Sequence, residues 1–313
     1  MIQRTDTSKT TDTRLDACVV LAGGIKPSAL ESQTGVPTLD LWINEHGTVL
    51  ERWMRALTSV LRPDTECRII HSENRIPTSH QELIRSGAIR LIPERGKYRG
   101  PAGVVRDSCE DLDDDAMLLI VEASQWAPDD LGAMLAEFVR VDASTLVGVN
   151  PDRSPSGLYL TRRRSLECVP RKGFMDIKEQ WLPRVQERQG AVRVHRLPPP
   201  GTLPIRSREQ ALATLGAVSD GAFIARNGQR CAQSSIAPTA RVDPGARVVR
   251  SLVMPGAVVR DGAVVIRSVI CHGAHVGEGE RVIDQVRRAS PDDHGQQHRS
   301  IQSSTQAGRN VTP

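Results

Sequence analysis

Aromatic side chains are scarce: two Tyr, three Phe and four Trp make up 3% of 313 residues. So few rings argue against the base-stacking platform of a nucleic-acid binder. Excess charge is missing too, because 41 basic and 37 acidic residues leave only +4, spread along the chain. That balance lacks the basic stripe of a nucleic-acid binder. Apolar runs stay at strand length, Ala116–Val121 among the longest, and none is long enough for a membrane span. The first fifteen residues, MIQRTDTSKTTDTRL, carry no apolar h-region, so no secretory signal is expected. Cys18, Cys67, Cys109, Cys168, Cys231 and Cys271 form no C-x-x-C pair and read as reduced packing thiols. These absences predict a cytoplasmic protein without nucleic-acid or membrane partners.

What is present begins at Ala17–Leu41, ACVVLAGGIKPSALESQTGVPTLDL. An apolar strand, Ala17–Leu21, runs into Ala22-Gly23-Gly24 and then a polar, turn-prone loop. An α/β sheet offers backbone N–H groups to ligands in this way, at the carboxyl ends of its strands. Downstream, Thr48–Leu61 has apolar residues at helical spacing, Cys67–Ile70 and Ile89–Ile92 read as strands, and Ser79–Ser86 reads as a helix. Strands alternating with amphipathic helices predict a mostly parallel sheet. Gly100-Pro101-Ala102-Gly103 opens a helix expected to run through Leu112; small residues at a helix N-terminus suit an anionic ligand, or simply a helix start with Pro in its first turn.

The loop resembles the signature L-A-G-G-x-G-T-R-L-x-P-L-T-x-x-x-P-K of the sugar-phosphate nucleotidyltransferases. Leu21, Ala22, Gly23, Gly24 and Pro37 match it, whereas Lys26, Ser28 and Thr38 stand where the family has glycine, arginine and lysine. Gly100, Ala102 and Gly103 are similar to the family's G-T-A-G segment, which implies contacts with the base and sugar side of a nucleotide. Gly157-Leu158-Tyr159 resembles a G-I-Y strand, and Gly173–Pro183 resembles G-F-x-D-I-K-E-x-L-L-P, so Gly157 and Asp176 are the implied sugar-side residues. The Glu-Lys-Pro sugar-gripping motif of the family has no counterpart. Asp176-x-x-Glu179 reads equally well as a capping box.

The resemblance implies Mg²⁺ held by two aspartates in an active member, but Ser124 and Pro204 occupy those positions here. A hydroxyl is a poor ligand for a hard cation and proline is none. Glu122, on the same strand face as Ser124, is the candidate replacement ligand; Lys26, Glu122 and Lys178 are the candidate catalytic residues of a relocated site, with Lys178 placed to neutralise a phosphate. Asp113–Asp115 and Arg162–Arg164 read as solvated clusters.

A second architecture begins near Ser235. Ile236, Val242 and Val248, then Val253, Val259 and Val265, then Ile270, Val276 and Val282 fall six apart within triplets that repeat every 17 residues. This is the hexapeptide signature of a parallel β-helix, and it resembles the left-handed type. Cys271, His272 and His275 sit on it, with histidines expected to face outward from turns.

The expected fold is therefore α/β: a Rossmann-like nucleotidyltransferase (GT-A-like) sheet domain, then a short left-handed β-helix. The expected divisions are 1–15 without fixed structure, 16–222 sheet domain, 223–234 linker, 235–286 β-helix and 287–313 a tail without a core. The retained glycines beside missing charges imply a catalytically degenerate homologue that binds a nucleotide or nucleotide-sugar in sugar-nucleotide or polysaccharide synthesis. It would act as a homo-oligomer or as a subunit of a larger complex. An active enzyme with a rearranged site, needing Mg²⁺, is the alternative; a β-helix scaffold or acyltransferase is the third.

Overall fold

The computed structural model describes residues 14–290, apart from residues 25, 46, 73–76, 78–79, 95–98, 191 and 219–229. The expected N-terminal segment up to residue 13, most of the expected linker and the tail from 291 onward lie outside the described residues.

Among the described residues, seven strands form the main sheet: β1 (Ala17–Leu21), β2 (Cys67–His71), β3 (Ile89–Pro93), β4 (Met117–Glu122), β5 (Thr145–Val149), β6 (Pro155–Arg162) and β7 (Val192–Arg196). Their order is β7-β5-β6-β4-β1-β2-β3. Neighbours run parallel except β6, which is antiparallel to β4 and β5. Burial follows from the alternation of side chains across a pleated strand. Cys18 and Val20 face one apolar cluster, and Ala17 and Val19 face the other. Helices cover both faces, as a parallel sheet buried on two sides requires.

The helices are α1 (Ala29–Thr34), α2 (Val49–Leu57), α3 (Gln81–Arg85), α4 (Gly100–Ser108), α5 (Gly132–Arg140), α6 (Leu182–Gln189) and α7 (Arg208–Val218). α2, α3 and α4 are shorter than the sequence pattern predicts. Thr48 caps α2 through a reciprocal box with Glu51, and α4 gives way to turns after Ser108. Trp53 on α2 fills the first cluster, its indole donating to Gln125 O at 2.8 Å. Trp181, just before α6, fills the second and donates to Ser165 O at 3.0 Å.

The chain leaves β1 for β2 and β3 on one side, then returns to β4 on the other. A crevice therefore opens at the carboxyl ends of β1 and β4, where the connections part. Leu21 pairs with Glu122 at that edge.

The C-terminal region is built from parallel strands on three faces. Arg230–Ala232, Arg247–Val249, Val264–Ile266 and Arg281–Ile283 stack on the first. Ser235–Ile236, Leu252–Val253, Val269–Ile270 and Val286–Arg287 stack on the second; Arg241–Val242, Val258–Val259 and His275–Val276 stack on the third. Each strand pairs in parallel with the one 17 residues later, as in Val248↔Val265 and Leu252↔Val269. The apolar residues of the repeat, Val248, Val253, Val259, Val265, Ile270, Val276 and Val282, fill the interior. This is the hexapeptide β-helix arrangement that the sequence predicts.

The structure moves several boundaries. Leu15, at the end of the expected N-terminal segment, is buried and donates its N–H to Val60 O at 2.8 Å. Arg230–Ala232, in the expected linker, is already a β-helix strand, and Arg287, in the expected tail, ends the last one. His275 does not face outward: it is buried within a two-residue strand rather than placed in a turn. One apolar cluster runs from the sheet into the β-helix, joining Trp53 and Val20 to Val248 and Ile270. At the seam Arg288 lies against Gly35, the left-handed C-cap of α1, and Arg208 approaches Asp284 at 3.7 Å.

Candidate functional site

The Gly23-Gly24 loop and the start of α4 face each other across a cleft of about 260 Å³ lined by Leu21, Gly23, Gly24, Glu94, Gly100 and Phe174, among others. Two stretches 76 residues apart, Gly24 and Gly100, thus meet at one opening. Ala22 anchors the loop by donating to Ile70 O at 2.9 Å. A Cβ on Gly23 would lie 2.8 Å from the Glu94 carboxylate, so glycine lets that side chain close on the loop. Gly100 has φ +67°, and a Cβ there would meet Met175 O at 2.6 Å. Glycine is required there on both counts.

Ala102 and Gly103 are buried behind the cleft. Ala102 donates to Met175 O at 3.2 Å, and Gly103 makes room for the Arg99 side chain. Pro101 has no N–H and that of Ala102 is already bonded, so this helix start has two fewer donors for an anion. Arg99 is itself committed, bidentate to Asp107 at 2.7 Å and donating to Pro170 O and Gly173 O.

Where the resemblance implies two metal aspartates, the structure brings their substitutes together. Leu203–Pro204 pairs antiparallel with Gln125–Trp126, and Ile205 donates its N–H to Ser124 O at 2.8 Å. Between them reaches Arg206. Its Nε donates to Ser124 Oγ at 2.9 Å and its Nη2 pairs with Glu122 Oε2. Lys178 Nζ takes the other carboxylate oxygen, Oε1, at 3.1 Å. Each oxygen of Glu122 therefore holds a cation, and both cations keep about half of their side-chain surface in solvent.

Gly157, with φ +74°, lets β6 pass against Glu122; its Cβ would lie 3.0 Å from that of Glu122. Beneath the site Tyr159 is buried, and burial first, then the Glu122 charge, push its phenol well above the ordinary value. Asp176 is a cap: its Oδ1 accepts from Lys178 N at 2.7 Å and Glu179 N at 2.9 Å. The box is closed by Gln180, whose Oε1 accepts from Asp176 N, and not by Glu179.

Lys26 is exposed on the loop. Ser28, at the loop-arginine position, caps α1 in a box with Glu31, and Thr38, at the lysine position, is buried and donates its N–H to Glu31. The two solvated clusters are each other's partners, Arg163 with Asp114 and Arg164 with Asp115, so that arginine cluster is not a free phosphate receptor.

This donor set does not fit Mg²⁺. Six oxygen ligands are the ion's requirement. Here one carboxylate is shared by two cations, one hydroxyl receives an arginine, and one position is proline. A divalent ion about 4 Å from the guanidinium meets roughly 2 to 8 kcal/mol of repulsion, depending on the local dielectric. Among the described residues, no group of three His, Cys, Asp or Glu side chains is arranged to hold a metal.

Residues 198–290 match the family model described as GlmU-like, C-terminal hexapeptide. No curated protein matches the chain. The matched hexapeptide region begins before the β-helix proper and includes Thr202–Arg206 and α7, the segment that delivers Arg206 to the crevice. On the rungs of that region Cys271 is buried and its thiol is pushed up to about 11 by burial, so it is not a ready nucleophile.

Arg206 and Glu94 were missed by reasoning from sequence alone. Arg206 carries a faint signal, an arginine two residues past the expected aspartate position. Glu94 follows a strand by one residue and becomes visible only when the sheet places β2 and β3 beside β1.

Proposed function

We propose that the chain is a catalytically degenerate nucleotidyltransferase-like protein of sugar-nucleotide or polysaccharide synthesis. It binds a nucleotide or nucleotide-sugar in the crevice and serves as a regulatory or assembly subunit. The observation that carries this reading is the occupied carboxylate: Glu122 is clamped by Arg206 and Lys178 beside a cleft built from the retained glycines. Nucleotidyl transfer is mostly positioning and charge neutralisation, and the loss of one electrostatic group commonly costs on the order of 10²–10³ in rate. Here several are replaced together. The parallel hexapeptide rungs support a left-handed β-helix through which copies of the chain, or a partner subunit, assemble in the cytoplasm.

The test pairs turnover with binding. Pyrophosphate release is followed over a grid of nucleoside triphosphates and sugar 1-phosphates with Mg²⁺, and the same nucleotides and their sugar conjugates are titrated calorimetrically. No turnover is expected, with binding to at least one nucleotide or nucleotide-sugar that Phe174→Ala weakens roughly 2- to 10-fold by removing a half-exposed ring from the cleft. Sugar-dependent pyrophosphate release abolished by Glu122→Gln would establish the rearranged enzyme instead.

A further inference from the structure

We propose that Arg206 and Lys178 are a built-in cation pair that receives the diphosphate of the ligand, so that the site binds a nucleoside diphosphate or its sugar conjugate without any metal. This rests on the reading of the cleft as a nucleotide site, and it adds what stands in for the metal. Three observations converge on it.

The first is place. The two cations sit on Glu122, the last residue of β4, paired with Leu21 at the end of β1. The carboxyl ends at a strand-order reversal are where an open α/β sheet takes its ligand. The second is preorganisation. Arg206 is held from several sides: Nε to Ser124 Oγ, its N–H to Gln210 Oε1 at 3.0 Å, and its carbonyl accepting from Leu30 N at 3.0 Å. It therefore bridges the β4 edge, the start of α1 and the start of α7 while its guanidinium keeps a solvent face. The third is charge. Glu122 is one carboxylate between two cations, a trio of net charge +1, and the nearby Asp176, itself an anion, turns its Oδ1 to two backbone N–H groups and not to either cation. A planar guanidinium with spare N–H groups suits paired phosphate oxygens, and the lysine adds a point charge.

Glu122 has a definite role in this arrangement. It holds the cations in place when the site is empty and competes with the incoming anion. Removing its charge should therefore tighten anion binding. Were Glu122 a metal ligand, the same change would weaken it. That opposite sign makes the proposal testable.

The experiment titrates inorganic pyrophosphate, then a panel of nucleoside diphosphates, into the full chain in EDTA and in Mg²⁺. Wild type, Arg206→Ala, Lys178→Ala and Glu122→Gln are compared, with circular dichroism checking each fold. Expected are binding in EDTA, about tenfold or greater loss for Arg206→Ala, a smaller loss for Lys178→Ala, and a gain of about threefold for Glu122→Gln. Binding that appears only with Mg²⁺, or that Glu122→Gln weakens, overturns the proposal. So does nucleotide binding indifferent to Arg206, though that outcome leaves the nucleotide cleft standing. Pyrophosphate binding that depends on Arg206, with no nucleotide bound in any condition, sinks the nucleotide reading and leaves the cation pair.

Discussion

At the scale of single residues, positions where the resemblance implies charge hold neutral residues with structural roles. Ser28 is a helix cap, Thr38 is buried, and Ser124 receives a hydrogen bond from Arg206. The replacement of charge was legible in the sequence, residue by residue. What replaced it was not. Arg206 reaches Glu122 only because a two-residue ladder, Leu203–Pro204 on Gln125–Trp126, joins segments about 80 apart, and so short a ladder leaves no periodicity to read. His195 offers a separate test at this scale. It lies on edge strand β7, its Nε2 is buried with no partner among the described residues, and burial lowers its pKa below the ordinary imidazole value. The unfolded chain then takes up this proton at a higher pH than the folded chain. The stability held at neutral pH is lost as pH falls from about 6.5 through the lower folded value. Thermal melts between pH 7.5 and 5 should show a shallower acid decline in His195→Leu than in wild type. Parallel declines would show that His195 does not contribute to the acid loss of stability.

At the scale of elements, periodicity served well wherever burial repeats. The two-sided burial of β1 and the six-residue spacing of the rung interior were both visible as pattern. The corners were not. Ser234, Ser251 and Ser268 form a column in which each hydroxyl accepts the N–H of the residue 17 later, Ser251, Ser268 and Gln285, at 3.1 Å. Gln233, Arg250, Arg267 and Asp284 repeat a left-handed conformation beside it. Polar residues give no hydrophobic signal, so that column escapes a search for apolar spacing. His275, expected to face outward from a turn, lies instead in a strand opposite Val258. At the start of α4 the demand on Gly100 is sharper. Gly100→Ala must accept a left-handed φ and a Cβ pressed on Met175 O, an expected cost of about 1–3 kcal/mol in urea unfolding. A cost below about 0.5 kcal/mol would mean that the α4 start can shift and that the cleft wall is not fixed by it.

At the scale of the whole molecule, the sheet and the β-helix share one apolar cluster, and the last rung rests on α1, the helix that follows the glycine loop. The sequence predicts two successive architectures, but it carries no sign of their joint core, since the contacts that make it lie far apart along the chain. The shared core predicts one cooperative transition in scanning calorimetry, with the calorimetric and van't Hoff enthalpies equal. Two resolved transitions would show that the β-helix melts on its own.

The crevice is proposed to supply its own cation. Calorimetric titration of the wild-type chain with a nucleotide-sugar, first in EDTA and then in Mg²⁺, tests it most directly. Affinity unchanged between the two conditions, within about twofold, is the predicted result. Binding absent in EDTA and restored by Mg²⁺ would contradict it and return Glu122 to the role of a metal ligand.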